Sequence, residues 1–199
     1  MGKLEINKKK KKNALFQTAF QLFTDKGFAK TTISDIVNQA GLAKGTFYLY
    51  FKDKYDLRDE LIAHKAAQLF LDAHESLAAN PVEGFENQLL EIIDYIVGRL
   101  QKDHALLRFI AKNLSWGIFK NVFEEPLPDD SYNFYEYYLE MMKNSNITCE
   151  EPELMLFTMI ELAGATCYNC ILFEQPVSMD KYLPYLHKTV HQIFLSFTS

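Results

Sequence analysis

An all-α protein, with a small N-terminal helix-turn-helix head and a larger helical body, is the fold class that the sequence predicts. Three observations carry that prediction. Apolar residues recur at helical spacing along most of the 199 residues, with no convincing alternating strand and no internal repeat. Two short helical stripes, at 33–40 and from near Lys44 to Phe51, flank a glycine in the manner of two helices joined by a three-residue turn. Charge is also unevenly spread. Residues 1–56 hold eleven lysines against five acids, a net of +6, whereas 57–199 hold ten basic residues against 21 acidic ones, a net of −11. The overall charge of −5 and a pI near 5.6 therefore hide a positive head suited to phosphate and an acidic body that phosphate repels. An apolar fraction of 48% supports a real core, as one large domain or a small one joined to a larger one.

The first helix is expected over 13–26, with Leu15, Ala19, Leu22 and Phe23 inward and Gly27 as its stop. Five consecutive lysines at 8–12 precede it. They can lie along a DNA backbone, enter a minor groove as an arm, or form a solvated, flexible tail. The second helix opens at Thr32, a candidate N-cap with Asp35 three residues on as a capping-box partner. Ile33, Ile36, Val37 and Ala40 form its apolar stripe. Gly41 supplies the left-handed conformation of the turn, and Leu42 plugs the angle.

In the third helix, from near Lys44, only Phe47 and Phe51 share an inward face. Gly45, Thr46, Tyr48 and Leu49 must then point outward, with Lys44 and Tyr50 on the flanks. A glycine for close backbone approach, a hydroxyl, two tyrosines and lysines suit base edges and phosphates. The alternative is a hairpin that buries Tyr48 and Tyr50 as core aromatics.

A fourth helix from about Lys54 runs past Leu57, Leu61 and Leu69 toward Ala78, until Asn80-Pro81 breaks it. The fifth carries the stripe Leu89, Ile92, Ile93, Ile96, Val97 and Leu100, and a further one spans about 104–113. After a segment with Trp116, Phe119 and Phe123, interrupted by Pro126 and Pro128, residues 132–142 hold more aromatic and Met side chains than one helix face can bury. Trp116, Phe119, Phe123, Tyr135 and Tyr138 either wall an apolar ligand site closed by Phe157, Glu161 and Tyr168, or pack as ordinary core. A buried Glu161 would demand a cationic partner, while a solvent-facing one is the commoner arrangement. The last two helices, about 152–173 and 183–197, are strongly apolar. Leu183, Leu186, Val190, Ile193 and Phe197 make a seam at 3, 4, 3, 4 spacing, suited to a twofold dimer with Ala163 and Gly164 allowing close approach.

The segment TTISDIVNQ, followed by AGLAKGTFYLYFKDKYDL, resembles the DNA-binding signature of TetR-type transcriptional repressors. The resemblance covers roughly the first third of the chain. It implies a DNA-binding domain at 1–56, with 1–12 as a basic, flexible arm, and an effector-binding and dimerisation domain at 57–199. It further implies a homodimer on a near-palindromic operator, released by a small molecule that is apolar or aromatic. Carried over by position, Lys44, Gly45, Thr46, Tyr48 and Tyr50 would meet bases or nearby phosphates, while Thr32, Ser34 and Lys54 clamp the backbone. Two positions depart from the motif. Ala43 stands where Ser or Thr is frequent, removing a cap worth about 1 kcal/mol, and Leu49 replaces a more polar or larger residue, so it either touches a thymine methyl or faces solvent.

Other classes find little support. No run reaches 18 consecutive apolar residues, no secretion signal opens the chain, and three cysteines suit a reducing compartment, so a cytoplasmic protein is expected. Cys167 and Cys170 lie mid-helix as small apolar residues. His187 and His191, at i, i+4, are two metal ligands short of a site and suit a surface or interface role; no metal and no cofactor is expected. Two alternatives remain: the same head with an aromatic body that docks a partner protein, and an enzyme using Cys167, His187 and Glu161.

Overall fold

The computed structural model describes residues 3–111 and 133–198 and holds nine helices among them. They are α1 (Lys3–Asp25), α2 (Ile33–Gln39), α3 (Lys44–Tyr48), α4 (Lys54–Ala79), α5 (Phe85–Lys102), α6 (His104–Ala111), α7 (Phe134–Asn144), α8 (Pro152–Phe173) and α9 (Met179–Phe197). Among the described residues there is no strand, only an isolated bridge between Cys149 and Thr198. The expected all-α class holds. Trp116, Phe119 and Phe123 lie outside the described residues.

The chain divides into two compact units, residues 1–63 and 64–199, and α4 contributes to both. In the first, Leu15, Phe16, Ala19 and Phe23 of α1 are buried with Ile36 and Val37 of α2, Phe47 and Phe51 around α3, and Leu57, Leu61 and Ile62 of α4. Phe47 and Phe51 stand 5.5 Å apart, and Phe51 lies 5.5 Å from Phe16, ring to ring. Burying such rings contributes about 2 to 3 kcal/mol each, which lets a five-residue helix persist far below the length at which helices stand alone. In the second unit, Leu89, Ile92 and Val97 of α5 pack in one core with Tyr138, Met141 and Met142 of α7, Met155, Leu156 and Met159 of α8, and Leu186 and Val190 of α9.

Two boundaries differ from the sequence reading. The first helix begins at Lys3 rather than near residue 13, so the basic run is helical and not a flexible arm. Packing holds it: Lys12 Nζ lies 2.7 Å from the Glu60 carboxylate and over the Phe16 and Phe51 rings, at 5.4 and 5.6 Å. The last helix starts at Met179 and takes Pro184 into its interior, where the proline removes one helical donor. Helix α8 is long and apolar enough to cross a bilayer by length and composition, with mean hydropathy 1.5 although Glu153 and Glu161 interrupt it. It also supplies buried Met155, Leu156, Met159, Cys167, Cys170 and Ile171 to the core of the second unit.

Candidate nucleic-acid interface

The turn between α2 and α3 is built from local chemistry. Thr32 caps α2: the Asp35 amide donates to Thr32 Oγ1 at 3.1 Å, and the Thr32 amide donates to Asp35 Oδ2 at 2.8 Å. Lys26 Nζ donates to the same oxygen at 2.8 Å. That ammonium first, then the Thr32 amide and hydroxyl, hold the Asp35 carboxyl down at about 2. Buried Thr31 donates its hydroxyl to the Gly27 carbonyl at 2.9 Å, fixing the entry to α2. Gly41 then takes φ +67, the left-handed region that favours glycine, and the chain doubles back into α3. As the sequence predicts, Ala43 provides no side-chain cap there.

The inner face of α3 is aromatic and the outer face is open. With Phe47 and Phe51 buried, Tyr48 is 54% exposed and Leu49 77% exposed, while Lys44 and Gly45 are exposed and Thr46 half-buried. A Cβ at Gly45 would meet nothing within 4 Å, so no packing in the free domain requires glycine there. Thr32 and Ser34, at the start of α2, are also exposed to solvent.

Besides Thr32, two of the positions named from the sequence are already engaged inside the domain. Lys54 Nζ donates to the Phe28 and Thr31 carbonyls, each at 2.8 Å, and lies 4.3 Å from the Phe28 ring centre. The Tyr50 hydroxyl donates to the Lys8 carbonyl at 3.1 Å. Sequence reasoning missed that hydrogen bond, since 42 positions separate the two residues and no local pattern links them.

Residues 15–61 match the family model described as bacterial regulatory proteins, tetR family. That stretch is a TetR-family DNA-binding domain. Among curated relatives, this chain is 50% identical over 44 residues to the HTH-type transcriptional regulator YerO of Bacillus subtilis, covering 22% of this chain and 15% of that one. It is 29% identical over 99 residues to the fatty acid metabolism regulator protein of the same organism, covering 50% of each. The chain thus spans half or less of the length of these two relatives. In fold it resembles the transcriptional regulator FadR of B. subtilis, solved in complex with stearoyl-CoA, with TM-score 0.63 and 18% identity over 89% of this chain and 96% of that one.

The second unit treats the residues named for an effector site unevenly. Tyr138 is fully buried, stacks on Tyr135 at 6.0 Å, and donates its hydroxyl to the Pro152 carbonyl at 3.1 Å, so burial raises its pKa. Tyr135, Phe157 and Tyr168 are half-buried. Glu161 is exposed, because the face of α8 that it shares with Leu154 and Ala165 turns away from the core; a buried carboxylate awaiting a cationic effector is therefore absent from this position. A cleft of about 220 Å³ lies elsewhere, lined by Ala73, Ser76, Leu77 and Asn80 of α4 and Glu91 and Tyr95 of α5.

The residues weighed for catalysis each have other surroundings. Burial pushes the Cys167 thiol up to about 12, so it stays protonated and unreactive at neutral pH. A His187 ring nitrogen lies 2.6 Å from Asp94, and one of His191 lies 2.7 Å from Glu86, pairing α9 with α5.

Proposed function

We propose that this chain is a transcriptional repressor that binds a near-palindromic operator as a homodimer and leaves it when a small apolar molecule binds the second unit. In this reading residues 1–56 read DNA through Thr32, Ser34, Lys44, Gly45, Thr46, Tyr48, Tyr50 and Lys54, and residues 57–199 dimerise and respond. The observation that carries the DNA-reading half is the outer face of α3. A short helix anchored by two buried phenylalanines exposes Gly45, Tyr48 and Leu49, where a soluble surface helix would ordinarily be charged. The +6 head and −11 body favour the same docking orientation.

Dimerisation through α8 and α9 is supported by the composition of α8. Its 18-residue window of mean hydropathy 1.5 is only 22% buried within the chain, and exposed Gly164 and Ala165 would let a twin helix approach closely. A twofold dimer would set two copies of α3 about one DNA turn, roughly 34 Å, apart.

The effector half rests on family kinship and on the aromatic residues Tyr135, Tyr138, Phe157 and Tyr168, with Trp116, Phe119 and Phe123 in the intervening segment. FadR of B. subtilis was solved with stearoyl-CoA, which makes a long-chain acyl thioester the first effector class to test. Effector binding would tilt α4, the helix common to both units, and change the spacing of the heads. A coupling of roughly 1 to 3 kcal/mol would alter operator affinity about 5- to 150-fold. Such a regulator works in the cytoplasm, where the DNA is.

The test is selection of bound genomic fragments by the purified protein, followed by release of the best fragment with acyl-CoA thioesters of graded chain length. Retention of a discrete palindromic fragment and its release by a long-chain thioester are expected. Uniform retention of all fragments would overturn the operator assignment, and retention unaffected by any thioester would overturn that effector class.

A further inference from the structure

We propose that the first turns of α1 form a preset phosphate-binding extension of the reading head, and that Tyr50 is the positioning residue that holds it in place. The proposal rests on the DNA-reading assignment above and adds a second DNA-binding element to it.

Five successive lysines are a poor helix on their own. Lys8 meets Lys11 and Lys12, and Lys9 meets Lys12, at the i, i+3 and i, i+4 spacings where like charges repel. Runs of this kind usually remain disordered, yet this one lies within α1. Two ties far apart in sequence hold it. The Tyr50 hydroxyl reaches the Lys8 carbonyl at 3.1 Å, and the Lys12 ammonium is shared by Glu60 at 2.7 Å and by the Phe16 and Phe51 rings.

The same ties sort the lysines by task. Lys12 is half-buried and occupied inside the domain, whereas Lys8, Lys10 and Lys11 are exposed. Tyr50 follows Tyr48 by two residues, so its hydrogen bond brings the exposed lysines alongside the recognition helix. Lys8 and Lys11 share a face of α1 at i, i+3, with Lys10 around the helix from them, and cations there match a continuous polyanion, the phosphate backbone beside the bases that α3 would read. Because these lysines are ordered before DNA arrives, binding sacrifices less conformational freedom than a flexible arm would. Tyr50, counted above among the DNA-reading residues, would then serve DNA binding through Lys8 and not through a base.

The experiment measures the affinity of the full-length protein for a mixed-sequence DNA duplex across a potassium chloride series. Four proteins are compared: wild type, Lys8→Gln/Lys10→Gln/Lys11→Gln, Tyr50→Phe, and the combination of all four substitutions. The lysine variant should lower the slope of log affinity against log salt by about 0.9 for each phosphate that it no longer neutralises, or about 2 to 3 for three phosphates. Tyr50→Phe should lower it as well, and should change nothing further in the lysine-variant background. A wild-type slope in the lysine variant would overturn the extension while leaving DNA reading intact. A Tyr50→Phe effect that persists undiminished without the lysines, or a wild-type slope in Tyr50→Phe alone, would overturn the positioning role. Failure of the wild-type protein to bind any duplex would overturn the DNA-reading assignment and this inference together.

Discussion

Thr32 and Asp35 exchange hydrogen bonds across the first turn of α2, backbone amide to carboxylate at 2.8 Å and backbone amide to hydroxyl at 3.1 Å. The pair satisfies two donors that the helix start would otherwise leave open. Replacing Thr32 with alanine should destabilise the first unit by about 1 kcal/mol, read as a lower urea midpoint at unchanged slope.

The pH dependence of that turn has a definite sign. The Asp35 carboxyl lies at about 2 in the folded protein against an ordinary 3.8, held down chiefly by Lys26. Its contribution to stability is fully present above the ordinary value and disappears as pH falls through about 2. Urea unfolding of wild type and Asp35→Asn from neutral pH down to the acid end of that window should show a gap that closes as the carboxyl protonates. A constant gap would mean that Asp35 acts by hydrogen-bond geometry alone.

Gly45 separates folding from reading. A helical glycine with open space around its Cβ position costs the domain roughly 0.5 to 1 kcal/mol relative to alanine. Gly45→Ala should therefore raise the unfolding midpoint while lowering affinity for the selected fragment by about tenfold, near 1.4 kcal/mol. Improved stability with unchanged affinity would remove Gly45 from the interface.

Tyr138 offers a control in the second unit. Its ring is fully buried and its hydroxyl bonds the Pro152 carbonyl, so Tyr138→Phe should cost about 0.5 to 1.5 kcal/mol. Thermal unfolding would read this directly.

A charged side chain on the outer face of α8 should separate the proposed dimer. Gly164→Arg is expected to halve the mass observed by sedimentation at micromolar concentration, with helicity unchanged, since a Cβ at Gly164 meets nothing within 4 Å in the single chain.

What the sequence made legible was local. The capping box at Thr32 and Asp35, the turn at Gly41 and the span of α8 were readable because caps, glycine and helical periodicity act over a few residues. The start of α1 was not, because the interactions that order the lysine run come from Tyr50 and Glu60, far along the chain. The start of α9 was missed as well: the helix begins at Met179, after Ser178, and carries Pro184 in its interior. Periodicity also could not decide the outward side of α8, which is apolar nearly all round, so the exposure of Glu161 emerged only from the packed structure.

The central claim is that the exposed face of α3 reads DNA, and Tyr48 is its most direct probe. Retention of the best selected genomic fragment by wild type and by Tyr48→Ala, with the oligomeric state checked in parallel, tests it. Specific retention should vanish in the variant while the assembly stays as in wild type; undiminished retention by Tyr48→Ala would contradict the account.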